Sequence, residues 1–75
     1  MATQFKRFDV RKLLEGGVEP LPAIRKKVDA LREGEGLAII APFMPAPLIE
    51  KLRSEGFQSR VEPQPGGTWV TYFWK

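Results

Sequence analysis

Hydrophobic and polar residues alternate over residues 4–10, QFKRFDV, placing Phe8 and Val10 on one face with Lys6 and leaving Phe5, Arg7 and Asp9 on the other. That period of two predicts a strand. Beyond Pro20 the period changes. Leu21, Ile24, Val28 and Leu31 recur three, four and three residues apart, with Arg25, Lys26, Lys27, Asp29, Arg32 and Glu33 between them, which predicts an amphipathic helix over residues 20–33. Gly34 and Gly36 end it, and LAIIA at 37–41 is an unbroken apolar run of the kind found in the middle of a sheet. Three prolines in PFMPAP, residues 42–47, forbid regular helix or interior strand and predict a stiff connector. Pro45 or Pro47 then opens a second helix with Leu48, Ile49 and Leu52 on its apolar face and Gly56 as its stop. Residues 57–62, FQSRVE, alternate again with Phe57, Ser59 and Val61 inward. After the turn PQPGG, TWVTYFWK closes a hairpin.

The order β-α-β-α-β-β predicts an α/β two-layer sandwich, a mixed four-stranded sheet covered on one face by two helices and open on the other. At 75 residues the chain reads as one domain over 1–75, and its 43% hydrophobic and 28% charged residues place it among folded domains rather than disordered ones. Cysteine and histidine are both absent, which removes disulfides, thiolate nucleophiles, imidazole bases and the metal centres built from them. Asp9 and Asp29 have no paired spacing with the glutamates, and Ser54, Ser59, Thr68 and Thr71 have no base, so neither an enzyme nor a cofactor or metal is expected. The net charge of +3 allows contact with nucleic acid, although acidic residues are interspersed among the basic ones. The longest apolar stretch, residues 37–47, is too short and proline-rich to span a membrane, and the first residues lack the apolar core of a signal peptide. A cytoplasmic protein without membrane contact is expected.

FDVR at 8–11, EPLPAI at 19–24, LREGEGLAIIAPFMPAPLIEKL at 31–52, GF at 56–57, VEP at 61–63 and GTW at 67–69 together resemble the cysteine-less, uncharacterised relatives of the TusA/SirA sulfur-carrier family. The resemblance runs from Phe8 to the C-terminus, and Glu19-Pro20 and APFMPAPL are its most specific parts. It implies the same TusA/SirA-like sandwich. In the sulfur carriers the first helix opens on Cys-Pro-x-Pro, and the cysteine becomes a persulfide. Laying that motif's last proline on Pro20 puts Gly17 where the cysteine would stand and Val18 where its first proline would stand. A persulfide carrier is therefore excluded. The resemblance also implies that Arg25 and Lys26 fall on basic positions that meet partner proteins; read from the residues alone, they form a solvated helix face.

Ligands collect beyond the carboxyl ends of parallel strands. If the first two strands are parallel neighbours, the loops 11–19 and 42–47 form one rim. On it, Gly16 and Gly17 would let an anion approach backbone near Arg11 or Lys12, against the opposing charges of Glu15 and Glu19; a plain loop is the alternative. Phe43 and Met44, held among Pro42, Pro45 and Pro47, make either a protein-contact surface or a lid folded onto the core. In the last strand Trp69 and Phe73 share one face while Val70, Tyr72 and Trp74 share the other, so one set must face outward. The expectation is a non-catalytic interaction or ligand-binding module. Its site residues are Arg11, Gly16, Gly17, Glu19, Pro20, Arg25, Phe43, Met44, Pro45 and Pro47, and its partner is an unidentified protein. The alternative is an RNA- or other nucleic-acid-binding domain that uses the basic residues and the open aromatic face, and the same face would also serve a homo-oligomer.

Overall fold

The computed structural model describes residues 3–75. Strand β1 (Gln4–Asp9) leads into a short helix α1 (Arg11–Glu15), then helix α2 (Leu21–Asp29), strand β2 (Glu35–Ala41), helix α3 (Ala46–Ser54) and the hairpin of β3 (Gln58–Pro63) and β4 (Trp69–Trp74). The sheet order is β1-β2-β4-β3, with β1 parallel to β2 and the other pairs antiparallel. The chain is thus an α/β domain with a mixed four-stranded sheet. The β1–β2 crossover runs through α1 and α2, as a parallel pair requires.

Alternation sorts the strands onto two faces. Leu37, Ile39 and Ala41 of β2 and Phe73 of β4 are buried with Val10, Ile24, Val28, Leu48 and Leu52 in one core, against which Phe8, Leu13, Leu14, Leu31, Ile49 and Phe57 pack. All three helices therefore lie over one face. The register on the opposite face aligns Phe5, Gly36, Trp74 and Gln58 in one row, Arg7, Ala38, Tyr72 and Arg60 in the next, and Asp9, Ile40, Val70 and Glu62 in the third. Phe73, fully buried, settles which set of β4 side chains turns inward.

The structure differs from the sequence expectation in the crossover. The loop expected over 11–19 contains a helix, so the described residues form three α-helices rather than two. The Asp9 carboxylate accepts the Arg11 backbone N–H at 3.0 Å and so turns the chain out of β1. Leu13 and Leu14 then face the core. The helix ends in a Schellman arrangement: Val18 N–H donates to Leu13 O at 2.8 Å and Gly17 N–H to Leu14 O at 3.1 Å, with Gly17 at φ +74. Glycine is favoured there because a Cβ is strained at positive φ. The first long helix is also shorter than the expected 20–33. After Asp29 the chain leaves the helix. Glu35 accepts the Arg32 N–H through its carboxylate at 2.8 Å and donates its own N–H to Arg32 O at 3.0 Å, closing a separate turn. Leu31 keeps its core contact from outside the helix.

Candidate functional site

Because β1 and β2 are parallel neighbours, the loops leaving Asp9 and Ala41 emerge at the same end of the sheet, and the β3–β4 turn, residues 64–68, lies there too. The rim expected from the sequence is thus assembled. Every one of the seven prolines falls at this end: Pro20 and Pro22 at the start of α2, Pro42, Pro45 and Pro47 before and within α3, and Pro63 and Pro65 at the hairpin. Each proline fixes φ and removes an N–H donor, so the rim is stiff and poor in hydrogen-bond donors.

Its chemistry follows from that. A helix N-terminus offers four unpaired N–H groups, but α2 has Pro20 at its N-cap and Pro22 within its first turn, and α3 repeats the pattern with Pro45 and Pro47. The N–H of Ala46 is spent on Met44 O at 2.9 Å. The N–H groups of Gly16, Gly17 and Val18 donate inward to Lys12, Leu14 and Leu13 carbonyls, and Glu19 is exposed beside them. The glycine pair therefore terminates α1 and presents no donors to an anion. Arg11 is held by Asp9, Nη2 to Oδ2 at 2.6 Å and Nε to Oδ1 at 2.9 Å. Those hydrogen bonds, from side chain and backbone of Arg11, lower the Asp9 pKa from 3.8 to about 2.

What the rim does present is apolar surface. Among the described residues the exposed large hydrophobics are Phe5, Val18 (53%), Leu21 (48%), Phe43 (47%) and Met44 (47%), and all but Phe5 belong to this end. Phe43 and Met44 stand out from the turn while Pro45 behind them is buried. Val18 and Leu21 were not singled out from the sequence. Leu21 was assigned to the buried helix face by its spacing, yet as the first helical residue it lies at the sheet's end and stays exposed. A Schellman glycine followed by a valine is the signal that would have marked Val18.

Arg25 lies elsewhere. Its guanidinium reaches Glu55 at 2.8 Å and Asp29 at 3.4 Å, tying α2 to the end of α3. Beside it, a shallow apolar groove of about 80 Å³ runs between α2 and α3 over Leu21, Ile24, Val28, Leu48 and Leu52, with Arg25 and Lys51 at its lips. An open cleft of about 1040 Å³ sits at the far end of the sheet and is lined by these paired charges together with Phe57 and Trp74.

On the open sheet face Phe5 lies edge-on to Tyr72 and Trp74, with centroids 5.0 and 5.9 Å away. The Phe5 ring covers Gly36, where a Cβ would come within 2.6 Å of it. Burial of the ring, then the neighbouring Glu62, push the Tyr72 hydroxyl above its ordinary pKa of 10.0. Ala38 and Ile40 are 3% and 4% exposed although no helix among the described residues lies on this face, so side chains of the flanking strands close over the central one.

No helix among the described residues is long and apolar enough to cross a membrane. A family model described as Uncharacterized conserved protein (DUF2249) matches residues 7–75. No curated protein and no solved structure gives a significant match.

Proposed function

The chain belongs to the DUF2249 family of uncharacterized conserved proteins, and from that premise we propose that it is a non-catalytic interaction module that docks a partner protein through its proline-built rim. The observation that carries the reading is the placement of Val18, Leu21, Phe43 and Met44, exposed together at the one end where all the prolines lie. Large apolar side chains gathered at one site mark interaction surfaces. A rim stiffened by proline loses little conformational freedom on binding, so more of its contact energy is realised as affinity. The TusA/SirA-like kinship is part of the same proposal. Persulfide chemistry is not, since the chain has no cysteine. Nucleic-acid binding at the open sheet face is the weaker reading, because of the two arginines in that face Arg60 is paired with Glu62 at 3.7 Å, which leaves Arg7 alone where several free cations are needed to meet phosphates.

The test is capture of partners from native lysate by the tagged wild type and by a Phe43→Ser/Met44→Ser variant, with the stability of both measured. The expected result is an unchanged unfolding midpoint, within about 0.5 kcal/mol for surface positions, and loss of the captured protein. A destabilised variant that still captures it would make Phe43 and Met44 a lid on the core, and the reading would be wrong.

A further inference from the structure

The distribution of charge narrows the partner's chemistry. Helices α2 and α3 carry Arg25, Lys26, Lys27, Lys51 and Arg53 against only Asp29 and Glu50, whereas the rest of the chain holds seven cations and seven anions. The net charge of α2 and α3 is thus +3, and Glu55 just past the end of α3 offsets one of those charges through its ion pair with Arg25. Of those five cations only Arg25 enters an ion pair among the described residues. Lys27 lies over the Phe8 ring, 5.4 Å from its centroid, which leaves Lys26, Lys51 and Arg53 on the two helices to attract an oppositely charged partner and steer its approach.

Between those helices runs the apolar groove, open at its lips to Lys51 and Arg25 and reaching Leu21, which also belongs to the rim. Its volume of about 80 Å³ is roughly half that of a cavity that takes up benzene. Such a recess has room for about one aliphatic side chain. Resting on the docking reading above, we infer that the α2–α3 groove receives an acidic segment of the partner protein, one apolar side chain entering the groove and its neighbours lying against Leu21, while its carboxylates meet Lys51 and the neighbouring cations. An amphipathic helix with anchors three and four residues apart has the required form.

The experiment is a two-dimensional 15N–1H NMR titration of the whole chain with a 16-residue amphipathic peptide of leucine and glutamate, beside a peptide of the same composition in scrambled order and a 16-nucleotide oligouridylate. The expected result is a shift of amide signals confined to Leu21, Ile24, Leu48, Lys51 and their neighbours, with the amphipathic peptide bound at least tenfold tighter than the scrambled one. Lys26→Glu/Lys51→Glu should weaken it at least tenfold while its spectrum remains that of a folded protein. Three outcomes overturn the inference: no shifts at millimolar peptide, shifts on the open sheet face instead, or oligouridylate binding the same helices as tightly. Phe43→Ser/Met44→Ser in the lysate capture separates the two readings. If it loses the partner while Lys26→Glu/Lys51→Glu does not, the rim stands and the groove falls; the reverse pattern sinks the rim.

Discussion

Thr71 sits at the centre of β4, paired between Ile39 and Val61 and wholly buried on the helix-facing side, and its hydroxyl finds no hydrogen-bond partner among the described residues. A buried hydroxyl without a partner costs about 1–3 kcal/mol of desolvation. Valine has the same branched shape and the same preference for strands, so Thr71→Val should remove that cost without opening a cavity. The expected gain is about 1–3 kcal/mol, and at about 4–8 °C per kcal/mol for a domain of this size the midpoint should rise by at least about 4 °C. Thr71→Ser keeps the hydroxyl and deletes the methyl, so it should fall below wild type by about 1 kcal/mol. Urea unfolding followed by tryptophan emission, with the slope m unchanged among the three proteins, gives the comparison directly. The order valine, threonine, serine is expected. A valine variant no more stable than wild type would refute the reasoning, since it would mean that a buried water or a relaxed rotamer already satisfies the hydroxyl.

Other consequences are as accessible. Gly17→Ala puts a side chain at φ +74 and should cost about 1–2 kcal/mol, whereas Gly16→Ala, whose Cβ meets only backbone oxygens at 3.6 and 3.8 Å, should cost far less; equal losses would dismiss the Schellman account. Gly36→Ala drives a Cβ to 2.6 Å from both the Phe5 ring and the Phe73 carbonyl and should destabilise by about 1–3 kcal/mol or more, and adding Phe5→Ala should restore only part of this because the carbonyl remains. The Asp9 carboxyl, with a folded pKa near 2 against 3.8 ordinarily, adds stability that is full above pH 4 and lost as pH falls through about 2. An NMR titration should show that midpoint, and Arg11→Ala should return it toward 3.8; a midpoint indifferent to Arg11 would exclude the pair as its cause.

Periodicity made the strands and the two long helices legible, because each buries one face against the same core. Leu21 shows where that logic stops. Spacing assigns it to the face shared with Ile24 and Val28, but spacing carries no information about where the sheet ends, and Leu21 stands beyond it. The short helix α1 escaped for a related reason. Five residues are too few for a period to appear, and the signals present were local ones: Asp9 two residues before Arg11, and Leu13-Leu14 ahead of Gly16-Gly17. The end of α3 repeats that bonding, with Phe57 N–H on Leu52 O at 3.0 Å around Gly56, and there the lone glycine was read correctly as a stop. The rim's loops were legible through their prolines, whereas the ion pairs that occupy Arg11 and Arg25 depend on tertiary geometry no spacing encodes.

Size links the rim to the groove. A stable protein interface covers about 800 Å² on each partner, roughly 15% of the 5288 Å² that this small domain exposes. Four side chains at one end of a sheet cannot supply that area alone, so a partner seated on Phe43 and Met44 must continue along a neighbouring surface. Leu21 borders both the rim and the α2–α3 groove, which makes the helical layer the adjoining continuation, with lysines that attract an oppositely charged partner. Leu21→Ser should therefore weaken the same partner as Phe43→Ser and as Lys51→Glu. Because it joins the two surfaces, its effect should be non-additive with each in a double-mutant cycle, while distant Phe43 and Lys51 should add. Strict additivity of Leu21→Ser with both would mean that partner contact does not run through this corner.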